Sequence, residues 1–176
     1  HLLAPGQALA TVEGMLRVHN LIGDRYPEVR QTEIPMVEAT EVLRTEDLRI
    51  SASPTEHTRD TVALRFETAA AAVCYSSDTR PSEAVTRLAA EVDILVHDCA
   101  GPHRLRDTFS GSHSSALEAA RVAAAGAGRL VLTHLGARDD DVLKECRAGA
   151  EAEFGGPADL AFVGTRRTVP HHSGDV

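Results

Sequence analysis

The sequence predicts an α/β layered domain, and three observations predict it. From residue 69 to residue 163, short apolar runs of strand character alternate with segments whose apolar residues recur at helical spacing, the pattern of strands connected by helical crossovers. Ahead of them, between residues 29 and 67, three β-rich runs follow one another with only polar, charged or Pro-containing stretches between, which predicts neighbouring antiparallel strands. The composition of the 176 residues, 43% hydrophobic and 25% charged, is that of one globular unit.

The elements follow in order. Pro5-Gly6 forms a turn suited to helix entry, and Leu9, Val12, Met15, Leu16 and Val18 then recur close to helical spacing, so residues 7–19 are expected as helix. Runs at 34–39, 48–53 and 61–66 are the expected antiparallel strands. A strand at 69–75 ends abruptly in Ser76-Ser77-Asp78-Thr79-Arg80-Pro81, after which 82–90 reads as helix. A buried-type strand at 93–97, an irregular Gly/Pro/Arg stretch at 100–112 and an Ala-rich helix at 114–125, with Leu117 and Val122 on its apolar side, come next. Residues 129–135 read as strand, 139–154 as helix, and 160–163 and 167–169 as closing strands. The expectation is a single domain over 1–170 with a frayed polar tail, 171–176, that contains His171 and His172.

Composition also excludes function classes. Eighteen Lys+Arg against 26 Asp+Glu give a net charge of −8, which repels a phosphate backbone and disfavours indiscriminate nucleic-acid binding. No apolar run approaches the roughly 20 residues that cross a bilayer, and residues 1–6 lack the order of a signal peptide, so neither membrane nor export is expected. Cys74, Cys99 and Cys146 are odd in number and irregularly spaced, which argues against a disulfide framework and for the reducing cytoplasm. With 3% aromatics and no Trp, the core must be built from Ala, Val and Leu.

In open α/β sheets, functional side chains collect just past the C-terminal ends of strands. His57, Asp78 and His134 stand at three such ends, and imidazole with carboxylate suits zinc, manganese or iron, an Asp being able to bridge two ions. A fourth strand end carries His97-Asp98, and the Ala-rich helix opens with Ser112-His113-Ser114. Each has a plainer reading. A strand-end His is commonly a hydrogen-bonded structural residue, Asp78 suits a cap of the following helix, and Ser114 suits an N-cap with Glu118 on the first turns. Arg80, Arg104 and Arg106 match phosphate by geometry and match surface solubility equally well.

Taken in chain order, Tyr75-Ser76-Ser77-Asp78-Thr79-Arg80, then Ile94-Leu95-Val96-His97-Asp98, then His113-Ser114-Ser115-Ala116, then Leu132-Thr133-His134-Leu135 resemble the second half of the metallo-β-lactamase fold, closest to its ribonuclease Z branch. Ala4-Pro5-Gly6 resembles the Gly-Pro turn opening the corresponding segment. The resemblance implies part of a four-layered αβ/βα sandwich, mainly its C-terminal half, and two divalent ions, zinc foremost with manganese and iron as alternatives. It implies His57 on the first metal, Asp78 bridging both and His134 on the second. It also implies His113, oriented by Asp98, as proton donor to the leaving oxygen.

The sequence departs from that pattern in places. Asp98 stands where the branch has Glu, Ser77 where it has Gly in a tight turn, and Val163-Gly164 where relatives have Asp-Gly. The signature His-x-His-x-Asp-His loop is absent from this sequence. The chain is therefore expected to be a C-terminal portion of a longer protein, with an incomplete metal site and a thinly covered sheet face. The stretch between His57 and Asp78 is too short for the tRNA-gripping arm of ribonuclease Z, so a small phosphodiester or ester is expected as substrate before tRNA, and relatives imply a homodimer. Two readings stand. One is a metal-dependent hydrolase that cleaves phosphodiesters with a water activated by two metal ions when the missing N-terminal part is present, and the other a catalytically incomplete or degenerate module of the same fold acting in binding or assembly.

Overall fold

Near the N-terminus, the helix that begins after Pro5 sits between two short extended segments. The computed structural model describes residues 1–136 and 139–169, and His171 and His172 lie outside them. There, β1 (Leu2–Ala4) and β2 (Gln31–Glu33) pair in parallel and α1 (Gly6–Val18) connects them through a long loop. The remaining strands form one sheet in chain order: β3 (Thr40–Arg44), β4 (Arg49–Pro54), β5 (Val62–Glu67), β6 (Ala72–Tyr75), β7 (Ile94–Asp98), β8 (Leu130–Thr133) and β9 (Ala158–Leu160). From β3 to β6 the pairing is antiparallel, and from β6 to β9 it is parallel.

Parallel neighbours need crossovers, and α2 (Glu83–Leu88), α3 (Ala116–Ala123) and α4 (Asp140–Phe154) supply them. Because the strands are adjacent in chain order and such crossovers are right-handed, all three helices fall on one face. There the small residues Ala119, Ala120, Ala123 and Ala150 pack with Val85, Leu95, Leu130, Leu132 and Cys146 as the main core. A smaller cluster of Ile34, Ala52 and Val62, with Leu3, Val42 and Leu64 against it, fastens the β1–β2 unit to the antiparallel half. Away from the helices, Leu64, Phe66, Val73 and Val96 are half-buried and Tyr75 is 40% exposed, so this is the thinly covered face. All three cysteines are free and buried, and burial pushes the Cys74 thiol up to about 12. Among the described residues no helix is long and apolar enough to cross a membrane.

Several boundaries differ from the sequence expectation. The strand expected at 34–39 is instead a turn-containing connection between β2 and β3, because Pro35 has no N–H for a ladder and Ile34 is drawn into the smaller core. The closing strand sits at β9, earlier than 160–163, and 167–169 is not strand; Arg167 Nε donates to Asp159 of β9 at 2.9 Å. The irregular stretch after β7 contains a 3-10 turn, His103–Thr108. Helix α4 has the expected ends, with Asp139 accepting from the Asp141 and Val142 amides and Gly155 closing it at φ 71°.

The N-cap of α3 is Ser115 and not Ser114. Ser115 Oγ accepts from the Glu118 amide at 3.3 Å while Glu118 Oε2 accepts from the Ser115 amide at 2.9 Å, a reciprocal capping box that leaves Ser114 free for another partner. Burial alone would raise the Glu118 pKa, but the Ser115 amide and hydroxyl and the Arg106 guanidinium outweigh it and hold the carboxyl below its usual range. A depressed folded pKa stabilises above the unfolded value, and the contribution is lost as pH falls through the folded one. Glu118→Gln is thus expected to cost about 1–2 kcal/mol at pH 7 and much less near pH 3, checked by urea melts at both.

Candidate metal centre

The strand-end loops are tied to one another before any ligand is considered. The segment after β4 zips against the loop after β6: Thr55 Oγ1 donates to Asp78 O at 3.0 Å, and Arg80 N donates to Glu56 O at 2.8 Å. Thr79, fully buried, joins these loops to the end of β7 and the start of α3. Its amide donates to Asp98 Oδ2 at 3.0 Å, its carbonyl accepts from Ser114 Oγ at 2.8 Å, and its Oγ1 accepts from the Glu56 amide at 3.2 Å. Ser76 Oγ accepts the Asp98 amide at 2.9 Å, fixing the backbone of that acid as well.

Two residues at these loops adopt the left-handed backbone conformation. Ser77, where the resemblance led one to expect Gly, has φ 54° and offsets that strain by donating its hydroxyl to Val62 O at 2.8 Å. His134 has φ 57°, which turns the chain sharply just past β8. Gly136 follows, and a Cβ there would lie 2.9 Å from Ala100 O, so only glycine lets the β8 loop press against the β7 loop.

Asp78, Asp98, His113 and His134 each present a ligand atom, and all four atoms lie within 4.8 Å of one another. His134 Nδ1 is 3.1 Å from Asp78 Oδ1, and His113 Nδ1 is 3.0 Å from Asp98 Oδ2. The His113 and His134 rings stack with centroids 4.9 Å apart. His57 stands on the other flank of the group, its ring centroid 5.4 Å from that of His113 and its Nδ1 donating to Ser112 O at 2.9 Å. The structure thus brings four of the five expected site residues into one donor group and leaves His57 beside it. His97 is elsewhere: fully buried, its Nδ1 against Asp98 O at 2.8 Å, with burial pushing its pKa down. Arg80, Arg104 and Arg106 are each held by a carboxylate, Glu56, Glu145 and Glu118 respectively.

The donor set fits a divalent cation. Imidazole and carboxylate ligands on zinc sit at about 2.0–2.2 Å from the ion, so their donor atoms stand roughly 3.3–3.5 Å apart in a tetrahedron. A spread of 4.8 Å closes to that with small side-chain rotations. Asp98 is 1% exposed, and among the described residues its Oδ1 has no hydrogen-bond partner. An unpaired oxygen on a buried carboxylate is costly, and a cation would satisfy it.

The beta-lactamase superfamily domain, as a family, matches residues 2–135. The chain belongs to this superfamily. Within it, the sequence is 41% identical to a ribonuclease Z of Myxococcus xanthus over 97 residues, covering 54% of this chain and 32% of that protein. The chain therefore spans about a third of that relative's length. Human tRNase Z, short form, superposes with a TM-score of 0.73 at 16% identity, over 96% of this chain and 67% of that one. Zinc-bound PqqB of Methylobacterium extorquens gives 0.61 at 16% identity, over 91% and 62%. At these identities the two structures share the fold with this superfamily member, as the mixed sheet and one-sided helices already indicate.

Sequence reasoning did not find Thr79, Ser76 or Glu56 as organisers of the site. The signal available was only that small hydroxyl residues crowd the loop around Asp78, where hydroxyls bond backbone groups. Thr79→Val preserves shape and removes the Oγ1 bonds, leaving the Glu56 amide short of an acceptor. It is expected to cost about 1–3 kcal/mol, a fall in Tm of several degrees in thermal melts. A Tm within about 1 °C of the parent would show that this tie contributes nothing.

Proposed function

We propose that this chain carries the donor and proton-handling side of a metal-dependent phosphodiester hydrolase. One observation carries the reading: Asp78, Asp98, His113 and His134, from four separate loops, converge within 4.8 Å. Asp78 and His134 are the residues to hold a divalent ion, with His57 serving a second ion beside Asp78. Zinc suits this set, as do manganese and iron. Such ions supply Lewis acidity toward a phosphoryl oxygen and a water acidic enough to attack near neutral pH.

The chain's own groups handle the proton. Asp98 Oδ2 accepts from His113 Nδ1 at 3.0 Å, which fixes the ring and leaves Nε2 to deliver a proton to the leaving oxygen. Asp98 does this from a buried position, with the same oxygen also held by the Thr79 amide at 3.0 Å. Substrate size follows from what lies between His57 and Asp78. β5 and β6 fill that stretch as a tight hairpin turning at Thr68, where the Thr68 amide donates to Ala71 O at 2.9 Å. With that hairpin in place of an arm and a net charge of −8, a small phosphodiester fits better than tRNA, although the curated relatives are named for ribonuclease activity.

In a length that carries the His-x-His-x-Asp-His loop, and supplied with zinc or manganese, the protein is expected to hydrolyse bis-p-nitrophenyl phosphate, with Asp78→Ala lowering kcat/KM by about 100-fold or more. Release of p-nitrophenol, followed by absorbance, measures both. Equal turnover by the parent and by Asp78→Ala would overturn the reading.

A further inference from the structure

We infer that the substrate carries a second, terminal phosphoryl group, and that Arg80 and Arg106 hold it in a cavity walled by the loops of the donor group. The inference rests on the reading of that group as the centre of a phosphodiester hydrolase, and it adds what the substrate brings besides the bond that is cut. The cavity has a volume of about 580 Å³, and Glu56, Arg80, Arg106 and Ser110 are among its lining residues. Arg80 lies just past Asp78 in the chain, Ser110 just before His113, and Glu56 adjoins His57.

Hydrogen-bond accounting decides what kind of group the cavity takes. Its less exposed acceptors are already filled: Glu118 accepts from Arg106 on one oxygen and from Ser115 on the other, and Glu38 accepts from Arg87 on both, at 2.9 and 3.1 Å. Arg87 is spent as well, since its Nη1 goes to Glu83 at 3.2 Å. Glu56 and Glu83 are exposed, where water meets their remaining oxygens. The donors of Arg80 and Arg106 are not used up. Among the described residues, the Arg80 guanidinium gives only Nη2, to Glu56 Oε2 at 3.1 Å, and that of Arg106 gives only Nε, to Glu118 Oε1 at 2.6 Å. The Ser110 hydroxyl has no partner among them either. What remains open is N–H and O–H, so the missing partner is an acceptor, and the planar guanidinium fork matches the oxygens of a phosphoryl group.

Both arginines are positioned in advance, which lowers the ordering cost of binding. Glu118 is buried and fixed by its capping box, so it anchors Arg106, while the Arg80 amide is tied to Glu56 O at 2.8 Å. Because each arginine keeps its glutamate, the cavity offers no surplus of positive charge to a long polyanion; it offers unfilled hydrogen bonds to one compact group. Arg104 differs from both, since its Nε goes to the two oxygens of Glu145 and it is not among the lining residues.

The test uses the length that carries the His-x-His-x-Asp-His loop, supplied with zinc, and a matched pair of substrates: thymidine 5′-(p-nitrophenyl phosphate) with and without a 3′-phosphate. The 3′-phosphate is expected to raise kcat/KM by about tenfold, mainly by lowering KM. Arg80→Gln and Arg106→Gln are each expected to remove most of that preference, and Arg104→Gln to keep it. Arg80→Lys, which keeps the charge and loses the fork, is expected to restore the preference only in part. Should circular dichroism show Arg106→Gln unfolded, Arg80→Gln decides alone, since it leaves the capping box of Glu118 intact. Equal kcat/KM for the two substrates in the parent, or a preference that Arg80→Gln retains, overturns this inference and leaves the hydrolase reading standing. Turnover of neither substrate overturns both.

Discussion

The site exists because one buried peptide unit, that of Thr79, is shared by four loops. Its amide, carbonyl and hydroxyl each end on a different segment, the β7 end, the start of α3 and the β4 end respectively. Backbone groups buried at a sheet edge must find partners, and here the partners are the residues adjoining the candidate ligands. Asp78 precedes Thr79, His57 follows Glu56, His113 precedes Ser114, and Asp98 is the acceptor itself. Satisfying Thr79 therefore sets the mutual positions of four of the five expected site residues.

The fifth, His134, arrives by a different route. It stands at the end of β8, whose register with β7 pairs Asp98 with Thr133, so the two strands end level. A left-handed backbone at His134 and the missing side chain at Gly136 then let the chain fold back over Ala100. Strain at one residue and a close approach two residues on place the imidazole beside Asp78. The parallel half of the sheet makes this geometry available, since its strands end along the same side and are packed from one face by helices with small side chains.

Charge is distributed with the same economy. The arginines around the site are each engaged by a glutamate, so they order loops and do not form a free cationic surface. The acid buried deepest among the described residues, Asp98, has His113 and the Thr79 amide on one oxygen and, among the described residues, no partner on the other. Beside that acid stand another Asp and a His, which makes the cluster a candidate site for a cation.

Much was legible in the sequence. Apolar spacing alone located the helices to within a residue or two, and of the residues singled out at strand and helix boundaries, Asp78, Asp98, His113 and His134 lie together in the fold with His57 beside His113. These features are local, because periodicity and residue type are properties of neighbours in the chain. The strand misplaced at 34–39, the exchange of Ser114 for Ser115 as cap, the left-handed His134 and the role of Thr79 were not legible. The cap exchange and the role of Thr79 depend on partners distant in the chain, as Ser114 and Thr79 are, while Ile34 is claimed by the smaller core and His134 turns where Gly136 meets Ala100. Only the folded sheet decides that competition, because unmade hydrogen bonds cost little in water and much in the interior, so what each polar group bonds is set by burial that the linear sequence does not contain.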